Sequence, residues 1–236
     1  MTIASRPAVR VPGFLADSWR IARKDLLIEF RTRSAFLAAA VFAVLSVAIF
    51  RFTWDATAVP AIDLAPPVLW VIFTFSGLLG LNRSFGVELA DRAMDAMLAS
   101  PMSREAVFAG KALANLVFVA LVQALTIPAI ALFFDLPAGA WWWSVVGVAV
   151  LAMIGLTAVG TLFAAVASNT RLAEMLLPML ALPFFVPVVI PAAQATALLL
   201  AGRPVSDVAS WIKMLVAFDL VFVAACTVAF PYTLDE

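Results

Sequence analysis

Histidine is absent from this chain, and cysteine and tyrosine occur once each. Without histidine there is no imidazole general base, no imidazole metal ligand and no histidine ligation of haem iron from this chain. A single cysteine, Cys226, excludes an internal disulfide and every zinc or haem-attachment pattern built on paired cysteines; set in an apolar run, it is read as a small packing residue. Charge is scarce as well, with 15 basic and 15 acidic side chains among 236 residues. No face or tail carries the basic excess that nucleic-acid binding requires, so nucleic acid is not a partner.

What is abundant is apolar chain: 65% of the residues are hydrophobic and the mean hydropathy is +1.08. There is too little polar surface to coat a water-soluble globule of this size. The charges are bunched at the N-terminus and between uncharged runs of 17, 19, 23, 35 and 28 residues, which lie between Arg33 and Arg51, Asp63 and Arg83, Lys111 and Asp135, Asp135 and Arg171, and Glu174 and Arg203. About 20 apolar residues in a helix cross roughly 30 Å of hydrocarbon. The expected fold is therefore an all-α integral membrane protein with six transmembrane helices, near 35–53, 64–82, 112–134, 143–167, 175–199 and 211–230, forming one domain over 35–236 after a tail and surface helix at 1–34.

Residues 1–33 hold no apolar core of signal-peptide length, so no cleaved leader is expected and the first span acts as an anchor. With both termini in the cytoplasm, the segments 1–34, 83–111, 168–174 and the C-terminal tail hold 12 of the 15 Lys and Arg residues, leaving only Arg51, Arg203 and Lys213 outside. That bias sets the orientation.

Before the first span, Leu15, Trp19, Ala22, Leu26 and Phe30 recur at helical spacing, with Arg20, Arg23, Lys24 and Arg31 mostly opposite. The pattern predicts an amphipathic helix lying along the inner leaflet, against the plainer alternative of a solvated arm. Trp141, Trp142 and Trp143 fall at an outer boundary, where an aromatic belt is the usual role and a surface for stacking on a porphyrin the other. The fifth span carries Pro178, Pro183, Pro187 and Pro191. Each removes a helical donor, so a kink or break is expected there, in a packing helix or in a mobile wall near the outer face.

The one long mixed-charge loop runs from Arg83 to Lys111. Gly110-Lys111 ends like a phosphate-binding loop, but the upstream glycine and the following hydroxyl residue are missing, so ATP is not bound that way. Within the loop Glu88, Asp91 and Asp95 share a face at i, i+3 and i+7, while Met94, Met97 and Leu98 supply an apolar one. Ser100-Pro101 stops that helix, and Ser103 is placed to cap a second one leading into the third span, with Glu105 near its positive end. Such a short cytoplasmic helix suits either an ordinary surface loop or the reception of force from a soluble motor.

These stretches resemble the ABC-2-type exporter permeases and, within them, the haem exporter permeases of cytochrome c maturation, the CcmB family. The resemblance is carried by RKDLLIEFRTRS (23–34), LAPPVLWVIFTFSGLLGLNRSF (64–85), Ser100-Pro101, GKALANLVF (110–118), LLPMLALPFFVPVVIP (176–191), FDLVF and the closing TLDE, in order over most of the chain. Arg92 departs from the family pattern, which has a small residue there. The resemblance implies a non-catalytic permease chain in the bacterial inner membrane. Its implied partners are a dimeric ABC ATPase, a second haem-handling membrane subunit and, indirectly, a periplasmic haem chaperone, besides membrane lipids. Glu88, Asp91, Asp95 and Pro101 would form the coupling helix that docks on the ATPase, which alone binds ATP.

With only Cys226, Tyr232 and the methionines as candidate ligands, stable haem ligation by this chain is not expected, and haem is a transient substrate at most. Were haem to pass along the outer side, Arg51, Arg203 and Lys213 are the candidate partners of its propionates and Trp70, Trp141 and Trp211 of its face; snorkelling at the interface explains the same residues. Asp219 lies inside the sixth span, where a carboxylate needs a partner such as Lys213, Arg51 or a buried Asn or Gln, for helix packing or for substrate passage. Two alternative functions are kept: an ABC-2 permease for another amphipathic substrate (lipid, glycan or drug), and a scaffold that transports nothing.

Overall fold

The structure is a computed structural model that describes residues 13–90, 102–137, 139, 142–168, 170 and 172–233. Seven helices account for almost all of them, and no strand occurs among the described residues. They are α1 (Phe14–Thr32), α2 (Ser34–Thr53), α3 (Ala61–Ala90), α4 (Arg104–Phe133), α5 (Trp142–Ser168), α6 (Ala173–Leu200) and α7 (Val205–Thr233). The last six each contain a stretch long and apolar enough to cross a membrane. This is a multi-pass membrane protein.

The observed helices are longer than the apolar runs that announce them. Helix α3 continues to Ala90, past the uncharged run that stops at Asn82, and α4 begins at Arg104 instead of at 112. Both described ends of the segment 83–111 are therefore helical, extending the adjoining spans. Ser103 caps α4 as its position predicts, its side chain accepting a hydrogen bond from the Ala106 N–H at 3.2 Å, with Glu105 in the first turn.

Helix α5 is the centre of the bundle, packing against α3, α4, α6 and α7. Its small residues allow that: Ala149, Ala152, Ala164 and Ala165 are buried, and the space where Gly160 has no Cβ is filled by Leu81 of α3. Without a hydrophobic driving force between helices in lipid, close approach over small residues is what gains dispersion energy.

Helix α6 runs unbroken through all four of its prolines. Ala181, Phe185, Val188, Ala192, Ala195 and Leu199 form a buried seam at alternating spacings of four and three residues. That is the spacing of a helix packed along its whole length. Pro183 is exposed, Pro178 and Pro187 are half-buried and Pro191 is buried, and the helix continues through all four without a break. At the other side of the bundle, Ala43 and Val47 of α2, Ala65, Val68 and Ile72 of α3, and Ile130 of α4 form a smaller apolar cluster.

Candidate functional site

The described polar interactions concentrate where α4 begins. Lys111, 0% exposed, places its Nζ 3.3 Å from Asp25 Oδ2 on α1, and Asp25 Oδ1 lies 3.2 Å from Lys24 Nζ. Next to it, Gly110 lets α1 come close: a Cβ at this residue would stand 2.6 Å from the Ser18 carbonyl oxygen and 2.7 Å from Ile21 Cβ. Such an approach is closed to any other residue unless α1 moves. The Gly110-Lys111 pair is thus a docking position for α1, where the bare backbone admits the helix and the ammonium neutralises its carboxylate.

The face of α1 that docks differs from the one anticipated. Leu15, Trp19 and Phe30 point outward, 80%, 58% and 55% exposed, as the amphipathic pattern requires. Ala22, assigned to the same face, is completely buried against α4 together with Asp17, Ser18 and Ile21. Asp17, Ser18 and Ile21, which the periodicity assigned to neither side, form the packing side with Ala22, because Gly110 and Lys111 offer a matching surface. Asp17 accepts from Arg20 at 3.3 Å, so its carboxylate is not left bare.

The same first turns of α4 hold α7. Arg104 Nη1 donates to the Pro231 carbonyl oxygen at 3.0 Å, and the rings of Phe108 and Phe230 lie 5.2 Å apart. Deeper along α4, Asn115 Nδ2 donates to Thr161 Oγ1 of α5 at 2.9 Å. One helix start, the exit of the long polar segment, is therefore bound to α1, α5 and α7. Glu88 falls on the extended end of α3, whereas the side chains of Arg83 to Ala90 and all of Asp91, Asp95 and Pro101 lie outside the described residues.

The cations assigned to the far end stand in separate places. Arg51 Nη2 is 3.9 Å from Asp135 Oδ2, and its guanidinium lies 5.2 Å above the Trp54 ring. Arg203 Nε is 3.0 Å from Asp207 Oδ2, a bridge across the α6–α7 turn. Lys213 is exposed and Trp211 half-buried on α7. Trp70 presents no face at all: it is 0% exposed, its Nε1–H donates to Thr196 Oγ1 at 3.0 Å, and it meets Phe73 edge-on at 5.2 Å. Trp70 is a core residue between α3 and α6. Trp141 lies outside the described residues. Among the described residues no hydrogen bond or ion pair joins any two members of the expected haem-contact set.

Asp219 meets none of its expected partners. It is 7% exposed, and among the described residues neither carboxylate oxygen reaches a hydrogen-bond partner. It lies against Gly155 of α5, where a Cβ would come 2.6 Å from Oδ1. Lys213 is six residues away on α7, on a different side of the helix, and Arg51 is engaged with Asp135. Gln123 of α4 and Ser76 of α3 are likewise buried without a side-chain partner. Among the described residues no group of three His, Cys, Asp or Glu residues is placed to hold a metal ion.

Two features escaped sequence reasoning. Glu29 accepts the Phe36 N–H at 2.9 Å, so a residue near the end of α1 satisfies a free donor of the first turn of α2. Arg33 between them takes a left-handed conformation, φ 55°, which turns the chain from one helix into the next. A charged residue in RKDLLIEFRTRS spaced seven before an apolar run was the available signal for the first.

Comparison with known proteins sets this architecture in a family. A family model described as "CcmB protein" matches residues 16–236. The chain is 30% identical over 167 residues to "Heme exporter protein B" of Rhodobacter capsulatus, covering 71% of this chain and 76% of the relative. It is 36% identical over 132 residues to the protein of the same name from Paracoccus denitrificans, covering 56% and 60%. With that of Pseudomonas aeruginosa it shares 29% over 204 residues, covering 85% and 89%. On a match that takes in both α1 and the whole six-helix bundle, the chain belongs to the CcmB family.

Proposed function

We propose that this chain is the membrane subunit of a haem exporter serving cytochrome c maturation, and that it converts the motion of a separate ABC ATPase into haem release or transfer. The observation that carries the mechanical half is the start of α4. Any displacement of the segment 83–111 arrives at Arg104 to Lys111, and those two turns grip α1 through Gly110 and Lys111 and α7 through Arg104 and Phe108. Force entering α4 at one place is thereby passed to α1 and α7. The relatives named heme exporter protein B supply the substrate half.

In this scheme the α1 end of the bundle is cytoplasmic, and Glu88, Asp91, Asp95 and Pro101 dock on the ATPase. Nucleotide-driven closure of the ATPase pair favours one of two packings of the helices, the only way a remote ligand can move them. No catalytic residue belongs to this chain. A second haem-handling membrane subunit and a periplasmic chaperone complete the route.

Glu88→Lys combined with Asp95→Lys tests the docking. The variant is expected to insert in the membrane normally and to lose co-purification with the ATPase; undiminished association would overturn the docking face. Deletion of the chain is expected to abolish haem attachment to cytochromes c, and intact attachment would overturn the haem assignment.

A further inference from the structure

A cavity of about 470 Å³ opens where the C-terminal half of α1 passes over α2, α3 and α4. Its floor is apolar, built from Phe36 and Leu37 of α2 and Phe118 and Leu121 of α4, beside Gly80 of α3. The Phe118 ring occupies the space a Cβ at residue 80 would need, so the glycine lets this floor residue seat against α3. The volume lies within the range of small-molecule sites, which are mostly apolar with a few placed polar groups.

The polar groups come from one edge of α1. Asp25, Glu29 and Arg33 follow one another at single-turn intervals and all line the cavity. Asp25 is neutralised by Lys111 and Lys24. Glu29 gives one oxygen to the Phe36 N–H and has no cation within ion-pair distance among the described residues. Arg33 donates its Nε–H to the Phe30 carbonyl at 3.3 Å and, among the described residues, has no carboxylate within that distance. What remains at the mouth, among the described residues, is one unneutralised carboxylate near the end of α1 and one unneutralised guanidinium on the residue that closes it.

We propose that this cavity binds a zwitterionic phospholipid with a primary ammonium head, one acyl chain on the Phe36–Leu121 floor. The phosphate meets Arg33, which presents a fork of donors suited to it, and the ammonium meets Glu29. A primary ammonium donates hydrogen bonds to the carboxylate, which a quaternary one cannot. An anionic ligand would gain Arg33 but meet Glu29 as a like charge, which sets the site against phosphatidylglycerol and against a tetrapyrrole with two carboxylates. Lipid bound here wedges under α1 at the hinge with α2. The proposal is independent of what the exporter carries.

The test is native mass spectrometry of the purified full chain titrated with phosphatidylethanolamine, phosphatidylcholine and phosphatidylglycerol of identical acyl chains. The ethanolamine lipid is expected to bind about tenfold more tightly than the other two, a difference of about 1.4 kcal/mol. Glu29→Gln keeps an acceptor for the Phe36 N–H and is expected to bring the ethanolamine lipid to within about twofold of the choline lipid. Leu121→Trp, which fills the floor, is expected to weaken all three. Equal binding of the three heads, a preference for phosphatidylglycerol, an unchanged preference in Glu29→Gln, or displacement of the lipid by haem would each overturn the proposal. If Leu121→Trp fails to fold by circular dichroism, the headgroup series and Glu29→Gln still decide it.

Discussion

Lys111 and Asp25 are 86 positions apart in the chain and 3.3 Å apart in space, and the lysine is the more deeply buried of the two. An ammonium with no solvent access depends on its counter-charge more than a partly exposed carboxylate does, and Asp25 also has Lys24. The pair therefore holds α1 on α4 asymmetrically. Removing Asp25 takes a counter-charge from a fully buried ammonium; removing Lys111 leaves a partly exposed carboxylate that Lys24 still serves.

Asp25→Asn is accordingly expected to destabilise the protein more than Lys111→Met does. Removing one partner of a buried pair costs about 3–5 kcal/mol where the charge left behind is uncompensated, and the carboxylate left by Lys111→Met is partly exposed and keeps Lys24. Thermal unfolding in detergent of the two single variants and the double variant measures the order. Equal losses would mean that Lys111 is held by other groups.

Gly110→Ala and Gly147→Ala should move stability in opposite directions. At Gly110 the new methyl meets the Ser18 carbonyl oxygen and Ile21, so α1 must lift, at about 1–3 kcal/mol. At Gly147, in the second turn of α5, a Cβ meets nothing within 4 Å, and the better helix former gains up to about 1 kcal/mol. Limited proteolysis at α1 is expected to accelerate in Gly110→Ala alone.

Gly155→Ala tests the seat of Asp219. The methyl would press on Oδ1 and on Phe218, whose ring carbons lie 3.0 and 3.1 Å from its position, and a loss of about 1–3 kcal/mol is expected. Asp219→Ala removes the carboxylate and should restore at least half of that loss in the double variant. A double variant no better than Gly155→Ala would show that Phe218 alone sets the limit. Because Asp219 has no polar partner among the described residues, Asp219→Asn is expected to leave stability unchanged or raise it.

Thr196→Val separates a hydrogen bond from mere packing in the core. It conserves shape but leaves the buried Trp70 indole N–H without its acceptor, at about 1–3 kcal/mol. Trp70→Phe in the Thr196→Val background is expected to lose less than Trp70→Phe alone, since the unpaired donor has gone. A coupling near zero in the cycle would place the indole bond outside the energetics of the core.

Much of the fold was legible because a bilayer simplifies the problem. An uncharged run of 17 to 35 residues has few choices there other than a helix, and five such runs stand in the chain. Ser103 was legible too, because a cap bonds within its own turn. The true helix ends were not. Residues 83–90 and 104–111 carry charge, so hydropathy ends the spans there, while backbone hydrogen bonding continues along the same axis into polar surroundings. The face of α1 was half legible: its exposed apolar side follows from periodicity, but its buried side is polar and small, and only its partner reveals that it is buried. The prolines of α6 do not break the helix: each costs a donor locally, and an intact packing seam retains it.

What the sequence alone determined is the class of the molecule: six helices of membrane-spanning length, a helical pattern before them, and a mixed-charge segment between the second and third. Those are consequences of local composition acting over one helix at a time. Only the tertiary structure decided that Gly110 and Lys111 seat α1, that Arg104 ties α4 to the end of α7, that Trp70 is interior, and that Asp219 lies alone against Gly155. Each of these joins residues tens to more than a hundred positions apart, and such pairings follow from which helix faces can approach most closely, a property of two surfaces together that neither segment carries by itself.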